Sequence, residues 1–267
     1  MFIVDLFEQQ PKQLKKLVIM PGGFHPWHPG HSSLYVSAKQ AFPDADIFVV
    51  STNDTSARPF PFEVKRQLAV MAGVPASQFV QVKSPFQAKE VVSQYDPETT
   101  ALIFVRSQKD QQEQPVPGGT KKNGEPGYLQ PYESATDLQP MSRHGYIAYL
   151  PVVNFKAGQS GISSATEIRN AWPSADDATK QTIVQDLYPK IAQNTSIITK
   201  VIKLLDRALS TTNEDAAGVG AIANKSQIHD PRYSMSITQD VGPDTLKKNL
   251  AAFSLSGISN KKSRNKK

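Results

Sequence analysis

Three histidines and three glycines crowd into one stretch of this chain, Met20-Pro21-Gly22-Gly23-Phe24-His25-Pro26-Trp27-His28-Pro29-Gly30-His31. Gly22 and Gly23 allow a backbone to approach a ligand more closely than any bulkier residue would. His28 and His31 are three residues apart, so on a helical turn both ring N–H donors face the same ligand. A helix start adds unpaired backbone N–H groups and a partial positive charge. These are the parts of a phosphate site. Read instead as a metal pair, His28 and His31 lack an evident third ligand, so no metal set is assigned.

The flanking sequence supplies the elements that must position these groups. The apolar run Leu17-Val18-Ile19-Met20 reads as a buried strand ended by Pro-Gly-Gly, and residues 31–41 read as a helix with Leu34, Tyr35 and Ala38 on one face. The stretch is therefore strand, tight turn, helix. A second helix start lies far along the chain, at Gly161-Ile162-Ser163-Ser164-Ala165-Thr166-Glu167-Ile168-Arg169. Ser163 or Ser164 can cap it, and Glu167 sits three residues after Ser164, as a capping box requires. Thr166 and Arg169 share a face. A serine-capped N-terminus beside a guanidinium fork suits a pyrophosphate leaving group, although alone it reads equally well as a capped helix with a surface arginine.

Between these two stretches, strand and helix patterns alternate. Residues 46–51 form a second apolar strand, opening into Thr52-Asn53-Asp54-Thr55 at the end where open α/β sheets place ligands. An extended Pro/aromatic segment, Arg58-Pro59-Phe60-Pro61-Phe62, leads into a helix at 63–72 that carries Lys65 and Arg66. As a solvated helix face, those two would have no role in the site. Residues 79–82 and 101–105 are further strands, separated by a helix at 87–94, and the latter strand opens into Arg106-Ser107-Gln108-Lys109-Asp110. Residues 111–145, rich in Gln, Pro, Gly and Lys, read as a long surface loop or lid. A fifth strand follows at 145–152. This alternation predicts a five-stranded parallel sheet, doubly wound with helices on both faces. Residues 177–209 read as helical with a break at Tyr188-Pro189, and Ile197, Ile198, Val201, Leu204 and Leu205 make an apolar stripe.

Gly23-Phe24-His25-Pro26-Trp27-His28-Pro29-Gly30-His31 resembles the GxFxPxHxGH signature of the nucleotidyltransferase superfamily. That group includes nicotinamide-nucleotide adenylyltransferases, pantetheine-phosphate adenylyltransferases and cytidylyltransferases. Ser164-Ala165-Thr166-Glu167-Ile168-Arg169 is similar to the second signature, S-x-T-x-I-R. The likeness spans residues 15–205 and implies a Rossmann-like sheet of the nucleotidylyl transferase type. It also implies a reaction, in which an acceptor phosphate attacks the α-phosphorus of a nucleoside triphosphate and pyrophosphate leaves. His28, His31 and Arg169 would then be catalytic, and Gly22, Gly23, Phe24, Ser163, Ser164 and Thr166 would bind nucleotide. Asn53, Lys65, Arg66, Lys109 and Asp110 would be candidates for the remaining substrate contacts. Magnesium would accompany the triphosphate, held by substrate oxygens and water. Arg106 departs from relatives that carry glycine there, which leaves the acceptor pocket open.

The form of the two signatures leans toward adenylyl transfer to nicotinamide mononucleotide. Cytidylyl transfer to a phosphoalcohol or sugar phosphate is the nearest competitor. Pantetheine-phosphate adenylyltransferases resemble the chain less, being usually shorter. A non-catalytic nucleotide sensor or a virion-associated binding protein is the reading from a different class.

Composition narrows the remaining classes. The chain has 267 residues and no cysteine, which excludes disulfides, thiolate zinc sites and a cysteine nucleophile, and fits a reducing, cytoplasmic setting. No apolar run reaches bilayer-spanning length, and 1–14 reads as a short leader lying on the domain rather than a signal peptide. Net charge is +6, of which five positive charges come from Lys261-Lys262-Ser263-Arg264-Asn265-Lys266-Lys267, so the rest of the chain is close to neutral. A nucleic-acid contact is therefore expected nowhere except that tail, and a homo-oligomer stays open. The domain is placed at 1–209 with a core at 15–205. Residues 210–267, rich in Thr, Asn, Gly, Ala and Ser, are expected to be flexible. Around Asp230-Pro231-Arg232-Tyr233 they resemble tail segments of bacteriophage proteins, which would make the compartment a host cytoplasm.

Overall fold

A computed structural model describes residues 13–55, 60–134 and 136–216, with side chains as far as Leu209. Six strands form one sheet: β1 (Lys15–Pro21), β2 (Asp46–Ser51), β3 (Phe79–Gln81), β4 (Thr100–Ser107), β5 (Leu129–Pro131) and β6 (Gly145–Leu150). Their order is β3-β2-β1-β4-β6-β5, and every pairing is parallel. β1 lies between β2 and β4, in a register that sets Ile19 opposite Phe48 on one side and Phe104 on the other. This is a Rossmann-like α/β arrangement.

Strands buried on both faces read as continuous apolar runs, and β1 does so, with Leu17, Val18, Ile19 and Met20 all buried. Alternate residues serve opposite faces. Val18, Met20, Val49, Ile103 and Val105 belong to the larger core cluster, which includes α1 (Pro29–Ala41) and α2 (Phe62–Met71). Leu17, Ile19, Val50, Leu102 and Phe104 face a smaller cluster, which includes Val91 and Val92 of the short helix α3 (Lys89–Val92). Crossover handedness explains the split. β1-α1-β2 and β2-α2-β3 step the same way along the sheet, so right-handed connections put both helices on one face. The β3-α3-β4 connection steps back across β1 and puts α3 on the other.

Three more helices complete the larger core: α4 (Ala165–Ala171), α5 (Asp177–Leu187) and α6 (Thr195–Ala216). The expected stripe on α6 packs inward through Ile198, Val201 and Leu205, with Ile197 and Leu204 half-buried. At about 1.5–3 kcal/mol per buried aliphatic side chain, this stripe is reason enough for α6 to dock. The Trp172 ring N–H donates to Asp206 (2.9 Å), and Lys180 bridges to the same carboxylate (2.8 Å), fastening α5 and α6 to the end of α4.

The sheet departs from expectation in one strand. Five were expected, and β5 is the sixth, lying within the stretch read as a loop. It is only three residues long and ends in Pro131, which a sheet accepts at an edge. The rest of that stretch is tied down by backbone pairs such as Gly118 N–H to the Leu129 carbonyl (2.9 Å). α3 is shorter than the expected 87–94, because Ala88 takes a left-handed conformation (φ 41°) and breaks the helix there. α6 runs on to Ala216, past the boundary at 209. The leader 1–12 and the tail beyond 216 lie outside the described residues. No helix among the described residues is long and apolar enough to cross a membrane.

Candidate functional site

The strand order reverses at β1, with β2 and β3 to one side and β4 to the other. Ligands of open α/β sheets bind in the crevice at such a switch point, beyond the strands' carboxyl ends. A cavity of about 1810 Å³ opens there. Its walls include Gly22, Gly23, Phe24, His25, His28 and His31 from the first turn, Arg106, Ser107, Lys109 and Asp110 from the end of β4, and Ser163 and Ser164 before α4. Sequence positions 140 residues apart thus meet around one space.

The first turn is built tightly. Phe24 is a buried non-glycine residue at φ 53°, a conformation costing roughly 1–2 kcal/mol. Its ring packs at 5.0 Å from Trp27 and edge-on at 4.9 Å to His31. A Cβ on Gly22 would lie 2.6 Å from that ring, so the glycine makes room for it. Tyr188, at the end of α5, donates its buried hydroxyl to the Trp27 carbonyl (2.7 Å) and holds the turn from below.

His28 turns out to be the N-cap of α1, two residues earlier than expected of the helix start. Its Nδ1 accepts from the Gly30 N–H (3.1 Å). An accepting Nδ1 carries no proton, so the neutral ring carries its proton on Nε2 and is a donor there. The His28 and His31 rings stack at 3.7 Å. Gly30 lies beneath the cap, and a Cβ there would come within 2.9 Å of His28 Cε1 and 3.1 Å of Nδ1. Gly30→Ala is accordingly expected to push the imidazole off its cap. The stability cost should be about 1 kcal/mol, lowering the thermal midpoint by about 2–4 °C, which calorimetry would show.

Both imidazoles are held neutral. Burial, and then the Lys109 ammonium, lower the His28 pKa from 6.5 to about 4. His31 is held well below its ordinary value, by burial first and then by His28 and His25. His31 Nδ1 is buried and has no hydrogen-bond partner among the described residues. A depressed folded-state pKa means that the unfolded chain takes up the proton first. The resulting stability is whole above pH 6.5 and is lost as pH falls toward 4. His28 alone should account for roughly 3 kcal/mol across that window. Thermal midpoints measured from pH 7 down to 4 should fall steeply, and His28→Gln should flatten the slope.

The second half of the site is a capped helix start, as expected. The Ser164 hydroxyl accepts from the Glu167 N–H (3.2 Å), and the Glu167 carboxylate accepts from the Ser163 N–H (2.7 Å), one residue earlier than in the usual capping box. Those bonds hold the exposed Glu167 carboxyl below the ordinary carboxylate range. Arg169 donates to the His25 carbonyl (2.6 Å) and to the Thr166 hydroxyl (2.9 Å). Its guanidinium therefore joins α4 to the His-bearing turn.

The remaining expected residues divide. Lys109 and Asp110 line the cavity, and Lys109 Nζ donates to Asn154 Oδ1 (2.7 Å). Asn53 instead caps α2, accepting from the Phe62 N–H (2.7 Å). Lys65 is fully buried rather than on a solvated face, and its Nζ donates to the Thr52 carbonyl (2.9 Å). Arg66 pairs with Glu63 (3.4 Å). None of these three lines the cavity, and neither do Thr166 and Arg169, which join the site through the Arg169 bond to the His25 carbonyl. Arg106, noted in the sequence only as a departure, and Phe155, which the sequence did not single out, do line the cavity. Arg106 is buried and ties down the following loop, donating to the Glu113 carbonyl (2.7 Å) and carboxylate (3.2 Å) and to the Pro115 carbonyl (3.2 Å). The Phe155 ring stacks on His28 at 4.9 Å. Phe155 carries no local signal, since only the fold brings it to the turn.

Among the described residues, no three potential metal-ligating side chains gather in one place. The cavity's wall includes the carboxylate residues Asp54, Asp110 and Glu113. Scans of the chain against protein-family models and against curated proteins found no match.

Proposed function

We propose that the chain is a nucleotidyltransferase. It moves a nucleoside monophosphate group from a nucleoside triphosphate to a phosphate-bearing acceptor and releases pyrophosphate. The observation that carries this reading is the stacked His28–His31 pair beside the glycine turn, in the wall of the cavity at the sheet's switch point. The sheet type assigned is that of the nucleotidylyl transferases. Adenylyl transfer to nicotinamide mononucleotide is the first reaction to test, and cytidylyl transfer to a phosphoalcohol or sugar phosphate is the second.

The acceptor's phosphate is ionised at neutral pH, so the attack on the α-phosphorus needs no general base. The work is positioning and charge stabilisation. His28 donates through Nε2–H while its Nδ1 is occupied by Gly30. His31 offers a second donor from the stacked ring. Being neutral when empty, the pair carries little electrostatic cost and gains most when phosphate charge arrives. Lys109 adds a cation to the wall. Ser163 and Ser164 in the cavity wall face the β- and γ-phosphates, while Arg169, held between the Thr166 hydroxyl and the His25 carbonyl, braces the turn from outside that wall. Magnesium enters as part of the triphosphate substrate, held largely by substrate oxygens and water.

A pyrophosphate-release assay across ATP and CTP, with nicotinamide mononucleotide, phosphoalcohols and sugar phosphates as acceptors, tests this. Acceptor-dependent release with one pair supports it and identifies base and acceptor. Nucleotide binding without release from any pair would favour a nucleotide-binding protein.

A further inference from the structure

We propose that Phe155 is a positioning residue that clamps His28 against His31 and keeps its Nδ1 seated on the Gly30 amide. The inference deepens the reading of His28 as a phosphate donor and rests on it for its consequence in turnover. Phe155 and His28 are nearly parallel, 27° apart with centroids at 4.9 Å, and His28 and His31 are 24° apart at 3.7 Å. Both rings pair with His28 and not with each other, the arrangement expected of rings on its opposite faces. An imidazole capped at one atom retains freedom to rock about that bond. A flat ring on each face removes it and fixes the direction of Nε2–H.

The clamp is anchored to the frame of the residue it holds. Phe155 sits in the segment that follows β6, and three bonds tie that segment down. The Ser37 hydroxyl donates to the Pro151 carbonyl (3.0 Å), the Val153 N–H donates to the Ser33 hydroxyl (3.0 Å), and Lys109 Nζ donates to Asn154 (2.7 Å). Ser33 and Ser37 belong to α1, the helix that His28 caps. The clamping ring therefore moves with the helix start rather than with a free loop. Gly30 leaves room for the imidazole, since a Cβ there would come within 2.9 Å of the His28 ring while meeting Phe155 only at ordinary contact distance, 4.0 Å.

The test compares Phe155→Leu and Phe155→Met, which keep apolar bulk, with Phe155→Tyr, which keeps the ring, all in the full chain. Imidazole nitrogen NMR reports the His28 tautomer, and amide exchange reports the Gly30 hydrogen bond. Wild type and Phe155→Tyr should show a single Nε2–H tautomer and a protected Gly30 amide. The Leu and Met variants should show mixed tautomers and Gly30 exchange about tenfold faster. Their kcat should fall about tenfold, with the triphosphate KM changed less than about twofold. Leu and Met variants with the wild-type tautomer and wild-type Gly30 protection would overturn the proposal, and so would loss of both in a folded Phe155→Tyr. The NMR arm does not need turnover. Tautomer changes in a chain that transfers no nucleotidyl group would sink the transferase reading and leave the clamp standing. Normal turnover with an unmoved tautomer would do the reverse.

Discussion

His31→Ala should cut kcat by about 10²–10³, the range seen when one preorganised donor to a developing oxyanion is removed. Two losses combine in it. The ring N–H offered to the phosphates goes, and so does the 3.7 Å stack that supports His28. Because the two histidines act together, His28→Ala should be similarly severe, and the double variant should be little worse than either alone. The fold should survive, because the core around the turn is carried by Phe24, Trp27 and Phe79, whose rings contact one another at 5.0–6.1 Å. Steady-state kinetics with circular dichroism checks this. Full turnover in a folded His31→Ala chain would remove the histidine pair from the mechanism.

The second large effect is expected at Arg169. Arg169→Ala removes a charge-assisted bond to the His25 carbonyl and the bond to Thr166, which together join α4 to the turn. A hydrogen bond involving a charged donor is worth about 1.5–3 kcal/mol, so the thermal midpoint should fall by about 3–12 °C. Turnover should drop by about 10²-fold, since Arg169 positions the turn that carries His28 and His31. Arg169→Lys keeps the charge but loses the planar fork, so it should recover stability only in part. A midpoint change under 1 °C in Arg169→Ala would contradict the bracing role, whatever the activity shows.

What was legible in the sequence, and what was not, follows from range. β1, the turn and α1 were readable because Leu17-Val18-Ile19-Met20, Pro-Gly-Gly and the Leu34/Tyr35/Ala38 face are local signals. Even there, the helix begins at Pro29, because proline suits a first helical position and His28 can cap it. The Ser164 cap and Glu167 were also local and lie where expected. β5 was not readable, since three residues ending in proline give no periodicity and pair only because β6 is already in place. Lys65 reads as a surface residue by type, and its burial depends on a carbonyl thirteen positions away. Arg169 could be placed on its helix, but not against His25, 144 positions distant. Phe155 and Arg106 belong to the same class, chemistry-bearing only through tertiary contact.

Nucleotidyl transfer requires attack at the α-phosphorus of the nucleotide. It is tested most directly by following label from a triphosphate marked in the α-phosphate and, separately, in the γ-phosphate, with the acceptor found in the release assay. The α-label should appear in the acceptor product, and the γ-label should leave entirely as pyrophosphate. Label passing from the γ-phosphate to the acceptor, or released as orthophosphate, would contradict nucleotidyl transfer and make the site a kinase or a hydrolase instead.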